Sequence, residues 1–204
     1  MKRCFIFGAL PVGKLFEKPC EGDLVIAADK GYATVRQLGL CPDLVVGDFD
    51  SLGEVPDTDN LIRLNVCKDD TDLEHAAGLA LEKGCDDFII YGAVGGKLDH
   101  TLGNIAVAEM IALSGGKSLF YGDDSSFTVI RNSAITLPAY DSGRISVISL
   151  SEVSRGVSIS GLSYEAEGID LPRAVTRGIS NAFIGKPSRI SVIDGTLLIV
   201  FDTE

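Results

Sequence analysis

The sequence has no tryptophan, two histidines and five cysteines, and no two cysteines are separated by two residues. An odd set of cysteines without such a pair argues against a disulfide framework and favours reduced thiols in the cytoplasm. Two histidines are too few for a typical histidine zinc site. No apolar run reaches the ~18 residues that a membrane-spanning helix needs. We therefore expect a cytoplasmic protein with no membrane partner.

Basic residues are also few, because 18 Lys and Arg stand against 29 Asp and Glu, for a net charge of −11. A chain this acidic lacks the general phosphate-neutralising surface with which proteins bind nucleic acids. If the protein handles a phosphate ligand, we expect a divalent metal ion to bridge its carboxylates and the phosphate.

The first 125 residues alternate between apolar, strand-like runs and amphipathic, helix-like runs. Thr71 and Glu74 form a capping box, which predicts that a helix begins there. The alternation predicts an α/β domain with a mostly parallel, Rossmann-like sheet and helices on both faces. The expected strands are residues 3–8, 23–29, 42–48, 60–65, 86–93 and 117–124, and the expected helices are 31–40, 71–84 and 99–116.

The pattern changes near residue 126, after which no strong helical pattern occurs. Short segments lie between Gly, Ser, Asp and Pro turns, and some alternate apolar with polar residues, as in Val157, Ser158, Ile159 and Ser160. Such segments predict a small antiparallel sandwich or barrel. We expect a domain boundary at about 124–132. The expected strands are 127–132, 134–139, 144–150, 156–164, 189–194 and 196–202.

Polar clusters recur where the predicted parallel strands end. Ligands of such sheets bind outside the carboxyl ends of the strands. A single Asp at a strand end is usually a helix cap or a turn former, but five clusters in succession favour a shared binding site. The clusters are AADKG (27–31), GDFDS (47–51), KDDTD (68–72), GAVGGKLDH (92–100) and GDDSS (122–126).

The GDFDS cluster places two acids one residue apart. In an extended strand, Asp48 and Asp50 would project to the same side, about 6.6 Å apart. Their repulsion would cost roughly 2–3 kcal/mol at an effective dielectric constant near 20. A bound Mg²⁺ would replace that repulsion with coordination, and Asp72 is the candidate third ligand. The alternative is a solvated turn, with the acids of KDDTD acting as helix caps.

The GAVGGKLDH segment has the composition of an anion cradle. Gly95 and Gly96 expose backbone N–H groups, Lys97 supplies a cation, and a helix is expected to begin at about Asp99. The alternative is a structural turn. A second segment, GALPVGKL (8–15), fits the G-x-x-x-x-G-K pattern. Its last residue is Leu where a phosphate-binding loop needs Ser or Thr, so we expect no working phosphate loop there.

In this order, AADKG, PDLVVGDFDSL, KDDTDLEHA, GAVGGKLDHTLGN and GISNAF resemble thiamine pyrophosphokinases of the bacterial type. The resemblance implies an ATP-binding α/β domain at residues 1–126 and a thiamine-binding β-sandwich at 127–204. It implies transfer of the pyrophosphoryl group of ATP to the hydroxyl of thiamine, giving thiamine diphosphate and AMP. It also implies a homodimer, with thiamine held between the α/β domain of one subunit and the β domain of the other.

The resemblance also implies roles for individual residues. The Mg²⁺ ligands and catalytic acids would be Asp48, Asp50 and Asp72, and Lys97 and Asp99 would assist catalysis. The residues around ATP would be Asp29, Ser51, Lys68, Thr71, Gly95, Gly96 and Lys97, and those that contact thiamine would be Asp99, His100, Ser180 and Asn181.

Two residues depart from the family's pattern. Lys97 stands where Arg is common, which keeps the charge but removes bidentate binding of phosphate. Lys30 stands where glycine is common. The chain has no Trp, so an aromatic ring that stacks on thiamine must come from Phe or Tyr, with Phe183 as one candidate.

Two other functions remain open at this point. In a phosphatase of the haloacid-dehalogenase type, Asp48 of DFDSL would be a covalent nucleophile and GDDSS a late acidic motif. That D-x-D motif should follow the first strand, whereas here it follows the third predicted strand. A regulator that binds thiamine or a nucleotide without catalysis is the second alternative. The residues by themselves predict a metal-dependent enzyme of phosphate esters or nucleotides.

Overall fold

The computed structural model describes residues 2–48, 60–64 and 70–202 of the chain. Contacts between residues divide the chain into two compact units, Met1–Asp123 and Asp124–Glu204. The four cysteines within the described residues are free thiols. Among the helices of the described residues, none is long and apolar enough to cross a membrane.

The first unit has the alternating strands and helices that the sequence predicts. They are β1 (Arg3–Phe7), β2 (Leu24–Ala28), α1 (Gly31–Gln37), β3 (Leu44–Gly47), β4 (Leu61–Arg63), α2 (Asp72–Glu82), β5 (Asp87–Tyr91), α3 (Leu98–Leu113) and β6 (Lys117–Tyr121). The six strands run parallel in the order β6-β5-β1-β2-β3-β4. Each predicted element of this unit is confirmed, with ends that differ by a few residues.

Alternate residues of adjacent strands pack one face of this sheet. Phe5 of β1 is level with Val25 of β2 and with Ile89 of β5. Residues two apart along a strand project to the same face, so each strand contributes more than one side chain to it. These side chains form a buried cluster with Val35 of α1. Four of the five residues in each of β1, β2 and β5 are buried, which explains why these strands appear as continuous apolar runs in the sequence.

One buried tyrosine anchors residues 9–20, which contain neither helix nor strand. The Tyr91 hydroxyl accepts hydrogen bonds from the backbone N–H groups of Phe16 (3.0 Å) and Glu17 (2.8 Å). It donates a third hydrogen bond to the carbonyl oxygen of Glu17 (3.0 Å). Burial raises the pKa of Tyr91, so the hydroxyl keeps the proton that it donates.

The GALPVGKL segment lies within this irregular stretch. A phosphate-binding loop of the G-x-x-x-x-G-K type passes directly into a helix whose N-terminus holds the phosphates. In the described residues after β1, the next helix is α1, which follows β2. The segment therefore does not have the structure of a phosphate loop.

Among the described residues, the second unit contains strands and no helix. The strands are β7 (Ser125–Arg131), β8 (Ala134–Leu137), β9 (Arg144–Ser149), β10 (Val153–Ser160), β11 (Ala166–Pro172), β12 (Asn181–Ala182), β13 (Ser188–Ser191) and β14 (Thr196–Asp202). Antiparallel pairing joins β12-β9-β14-β7 and, in a separate sheet, β11-β10-β13-β8. The antiparallel character of this unit is confirmed.

The expectation of a mostly parallel sheet needs correction. The larger sheet has ten strands, six in residues 3–121 and four in residues 125–202, and it is mixed. Helical crossovers allow neighbouring strands to run parallel, whereas the short turns after residue 124 connect antiparallel strands. The strands of each unit could be predicted from the sequence, but the mixed character of the larger sheet could not.

Candidate active site

A cleft of about 580 Å³ lies in the first unit, at the carboxyl ends of the parallel strands. Its size is within the range of ~300–1,000 Å³ that small-molecule sites occupy. Its wall combines apolar residues, such as Leu10 and Leu73, with polar residues from turns and helix N-termini. Seven residues that the sequence proposes for the site lie in this wall: Asp29, Thr71, Asp72, Gly95, Lys97, Asp99 and His100.

The other proposed residues of the first unit are not in the cleft wall or are not described. Asp48 is half-buried directly after β3, the third strand along the chain, as the sequence indicates. Neither Asp48 nor Gly96 lines the cleft. Asp50, Ser51 and Lys68 lie outside the described residues. In the part of the chain that the structure describes, no three His, Cys, Asp or Glu residues form a metal-binding group. The three-aspartate metal site therefore stays a prediction.

The turn after β2 places Asp29 in the cleft. Its backbone N–H donates to the carbonyl oxygen of Val46 on β3 (2.8 Å), and its φ is 49°. Asp is one of the few residues that tolerate this left-handed conformation. Strained backbone of this kind is concentrated at binding and active sites. The turn thus has a local cost that is consistent with a role in binding.

The two residues after Asp29 show which glycine this turn requires. Lys30 has φ −59° and ψ −16°, an ordinary helical conformation that any residue adopts. A Cβ atom at Gly31, by contrast, would overlap the carbonyl oxygen of Phe7 at the end of β1. The close approach of two backbones therefore requires glycine at 31 and not at 30. The departure from the family's pattern at Lys30 leaves the turn undisturbed.

The N-terminus of α2 supplies a second group of polar residues to the cleft wall, after the turn that carries Asp29. Thr71 is the N-cap, and its Oγ1 accepts a hydrogen bond from the backbone N–H of Glu74 (3.1 Å). The predicted helix start is confirmed. Asp72 is the first residue of the helix, where the helix dipole stabilises a carboxylate. The cap therefore fixes the start of the helix, where Asp72 lies in the cleft wall.

The loop between β5 and α3 supplies a third group of polar residues to the cleft wall. Gly95 and Gly96 have φ values of 95° and 71°, which residues with a side chain rarely adopt. Lys97 is the residue before α3, and Asp99 lies in its first turn, where the Asp99 Oδ1 accepts the backbone N–H of His100 (2.9 Å). A helix N-terminus with a nearby ammonium group is a favourable place for an anion.

Together, these three groups of residues bring negative and positive charges into one cleft. It combines three carboxylates, from Asp29, Asp72 and Asp99, with one ammonium group from Lys97. Carboxylate oxygens suit a hard divalent cation, and the ammonium group and the helix N-terminus suit phosphate oxygens. The arrangement fits a polyphosphate that arrives with its metal ion.

The second unit contains Ser180 and Asn181. Ser180 has φ of 60°, and its backbone N–H donates to Ser146 Oγ (3.1 Å). The Asn181 side chain is only 6% exposed. Its Oδ1 accepts the backbone N–H groups of Tyr164 and Ala182 (both 2.9 Å), and its Nδ2 donates to the Tyr164 carbonyl oxygen (2.7 Å). Most of its hydrogen-bonding capacity is therefore used within the unit.

The aromatic residues near Ser180 differ strongly in exposure. Phe183 is 5% exposed, and its ring lies 4.8 Å from that of Tyr140. Tyr164, whose backbone is held by Asn181, is 73% exposed. An aromatic ring that stacks on a ligand must be accessible, so Tyr164 is a better candidate for that role than Phe183. The sequence did not single out Tyr164, because the exposure of a side chain depends on tertiary packing.

Comparisons with known proteins bear on these features. Residues 20–115 match the family model described as thiamin pyrophosphokinase, catalytic domain. A thiamine pyrophosphokinase of Bacillus subtilis (strain 168) is 29% identical over 191 residues, which cover 90% of this chain and 89% of that protein. The predicted resemblance to thiamine pyrophosphokinases is confirmed.

Solved structures of thiamine pyrophosphokinases share the fold. The crystal structure of thiamine pyrophosphokinase from Bacillus subtilis has a TM-score of 0.88 and 27% identity, over 100% of both chains. Thiamin pyrophosphokinase from Candida albicans has a TM-score of 0.76, over 100% of this chain and 89% of its own. At 14% identity, the fungal protein shows likeness of fold alone.

Asn104 is a residue of the cleft wall that was not singled out from the sequence. It lies in the second turn of α3, and its Nδ2 donates a hydrogen bond to the Ala93 carbonyl oxygen (2.6 Å). A weak sequence signal was present, because Asn is a poor helix former and here directly precedes the apolar run Ile105–Ala108 of α3. The sequence does not show which backbone carbonyl the side chain reaches.

Proposed function

We propose that the protein transfers the pyrophosphoryl group of ATP to the hydroxyl of thiamine, giving thiamine diphosphate and AMP. The observation that carries this proposal is the cleft, in which carboxylates, an ammonium group and a glycine loop meet. All of its wall from Ala28 to Asn104 lies within residues 20–115, which match the thiamin pyrophosphokinase catalytic domain.

In this proposal, the first unit binds ATP and the second binds thiamine. The proposed thiamine domain is a β-sandwich made of the unit's two antiparallel sheets. A hydrogen bond between the hydroxyls of Ser149 on β9 and Ser154 on β10 (2.7 Å) supports that arrangement, because it links one sheet to the other. Ser154 Oγ also donates to the Thr196 carbonyl oxygen on β14 (3.1 Å).

The residues of the cleft fit a magnesium ion that arrives with ATP. In nucleotide sites Mg²⁺ is held by one or two carboxylates together with the substrate phosphates, so three protein ligands are not required. Asp72 lines the cleft and Asp48 directly follows β3, while the third proposed ligand, Asp50, lies outside the described residues. These carboxylates would hold the ion. When bound, Mg²⁺ neutralises the charge that develops on the phosphate oxygens.

The chain's own groups position the reactants. Lys97 and the N-terminus of α3 bind phosphate oxygens, and they stabilise negative charge as the bond between the α- and β-phosphates breaks. The thiamine hydroxyl attacks the β-phosphorus from the side opposite to AMP, and a carboxylate of the cleft accepts its proton. In this proposal His100, next to Asp99 in the cleft wall, contacts the incoming alcohol. Holding the two substrates in line supplies much of the rate enhancement.

We propose Tyr164 as the ring that stacks on thiamine. Tyr164→Ala is expected to raise the KM for thiamine about tenfold, because aromatic contacts with a cationic ring contribute about 1 kcal/mol or more. Tyr164→Phe retains the ring and should remain within about twofold of wild type. Steady-state kinetics at saturating ATP test this. Equal thiamine KM values for wild type and Tyr164→Ala would contradict the assignment.

We also propose a homodimer, in which Ser180 of the partner subunit contacts thiamine. Leu98 and Leu102, four residues apart on α3, are 73% and 57% exposed. Exposed apolar residues on one helix face commonly mark a protein interface. Light scattering is expected to give twice the 21.6 kDa mass of one chain. A mass of one chain at micromolar concentration would exclude a stable dimer.

The reaction itself is tested by mass spectrometry of the products formed from protein, ATP, Mg²⁺ and thiamine. We expect thiamine diphosphate and AMP in equal amounts, with no AMP when thiamine is omitted. A trapped aspartyl-phosphate, with release of inorganic phosphate, would instead indicate the phosphatase. Binding of thiamine or ATP without AMP formation would indicate the non-catalytic regulator.

A further inference from the structure

The loop Gly92–Lys97, which we call the glycine loop, carries several residues of the cleft wall. Three of its glycines have positive φ: Gly92 (67°), Gly95 (95°) and Gly96 (71°). Glycine has little conformational preference of its own, so such a loop loses much entropy when it is held in one shape. A fixed cradle for phosphate therefore needs anchors outside the loop.

Two side chains of α3 reach back to the glycine loop. Thr101 Oγ1 donates to the Gly95 carbonyl oxygen (3.1 Å) and lies 3.3 Å from that of Lys97. Asn104 Nδ2 donates to the Ala93 carbonyl oxygen (2.6 Å). The two residues are three apart and so lie on the same side of the helix. Each binds a carbonyl on a different peptide of the loop.

Anchoring a carbonyl also orients the N–H of the same peptide. The structure has no cis peptide bonds among the described residues. In a trans peptide the C=O and the N–H point in opposite directions. When Asn104 binds the Ala93 carbonyl, the N–H of Val94 points away from Asn104. When Thr101 binds the Gly95 carbonyl, the N–H of Gly96 points away from Thr101. Ala93 and Gly95, whose carbonyl groups are bound, both line the cleft, so the two hydrogen bonds fix this part of its wall.

We infer that Thr101 and Asn104 are positioning residues that hold the glycine loop in the conformation in which Ala93, Gly95 and Lys97 line the cleft and phosphate binds there. This inference rests on the proposed function, because it assigns the loop to the triphosphate of ATP. Asn104 lines the cleft, whereas Thr101 does not. An effect of Thr101 on nucleotide binding must therefore pass through the loop, which makes it the better residue to test.

The test compares Thr101→Val, which removes the hydroxyl and keeps the shape, with Thr101→Ser, which keeps the hydroxyl. The matched control is Ser114→Ala, because Ser114 Oγ donates to the Met110 carbonyl oxygen (3.0 Å) at the other end of α3. The probe is α,β-methylene-ATP with Mg²⁺, which cannot release AMP, and calorimetry gives its dissociation constant.

Thr101→Val is expected to weaken binding of this probe about fivefold, the effect of one hydrogen bond. Thr101→Ser and Ser114→Ala should bind it as wild type does. In kinetics, the KM for ATP should rise with Thr101→Val and the KM for thiamine should not. Hydrogen exchange should increase within residues 92–100 and remain unchanged in the rest of α3, which a general loss of stability would not produce.

Equal probe affinity for Thr101→Val and wild type would overturn the inference, as would faster exchange throughout α3. The binding measurement does not require turnover. A wild-type protein that binds the probe but forms no thiamine diphosphate would refute the proposed function and leave the positioning role to be decided by the variants. A wild-type protein that fails to bind the probe would overturn both.

Discussion

Asp72→Asn is expected to lower kcat by roughly 10²–10³-fold, the loss typical when one group that stabilises transition-state charge is removed. Asp72 lies in the cleft wall as the first residue of α2. Asparagine has nearly the same shape but no negative charge, so it is a poor ligand for Mg²⁺. The free energy of unfolding should fall by no more than about 1 kcal/mol, the value of one charge at a helix N-terminus.

The control is Glu74→Gln, which removes the other acid in the first turn of α2. Glu74 is exposed and is absent from the cleft wall, so its loss should leave kcat within about twofold of wild type. Coupled measurement of AMP release and urea denaturation of each variant separate catalysis from stability. Near-normal turnover by Asp72→Asn would exclude its metal role. Equal losses in both variants would indicate a general effect of charge.

Gly31→Ala is expected to reduce the free energy of unfolding by about 3 kcal/mol, the upper range for inserting atoms into a packed site. The new methyl group would overlap the carbonyl oxygen of Phe7. Phe7 cannot easily move, because it is paired with Ala27 of β2 and Tyr91 of β5. The overlap must therefore be removed by a movement of the turn that carries Asp29. Because Asp29 lines the cleft, we expect nucleotide binding to weaken as well. Urea denaturation and calorimetry measure the two effects.

Gly78→Ala is the matched control. Gly78 lies within α2, and a Cβ atom there would meet nothing within 4 Å. Alanine in a helix interior is favoured over glycine by about 0.5–1 kcal/mol, so this variant should be slightly more stable than wild type. If Gly31→Ala is as stable as Gly78→Ala, the turn relaxes without cost, and glycine is not required at position 31.

The first unit was predictable from the sequence because local signals agree there. Long apolar runs alternate with helical patterns, and Thr71 with Glu74 marks the start of α2, which the hydrogen bond between them confirms. The polar clusters at strand ends predicted where a cleft lies, because parallel strands bring their carboxyl ends to one edge. The sequence pattern predicts parallel strands, and parallel strands bring the side chains at their carboxyl ends together.

Other features depend on contacts between distant residues and were not predictable. β11 and β12 were missed because β11 is mostly exposed and contains Gly, Asp and Pro, which are poor strand formers, and β12 has only two residues. Asn181 reads as an available amide in the sequence, yet its side chain is bound to Tyr164, 17 residues away. Tyr164 is 73% exposed whereas Phe183 is 5% exposed, a difference that the sequence does not reveal. Motifs identify residue types, but only tertiary pairing decides which of them face a ligand.

The anchoring of residues 9–20 by Tyr91 has a consequence for the order of folding. The hydrogen bonds from Phe16 and Glu17 to the Tyr91 hydroxyl span 75 and 74 residues of sequence. Contacts of such separation form after the intervening chain has been ordered, because closing the loop costs entropy first. The segment that carries Leu10 into the cleft wall therefore gains its fixed position only once β5 is paired beside β1. The cleft is therefore completed only after β5 has paired with β1, although Leu10 follows β1 by three residues.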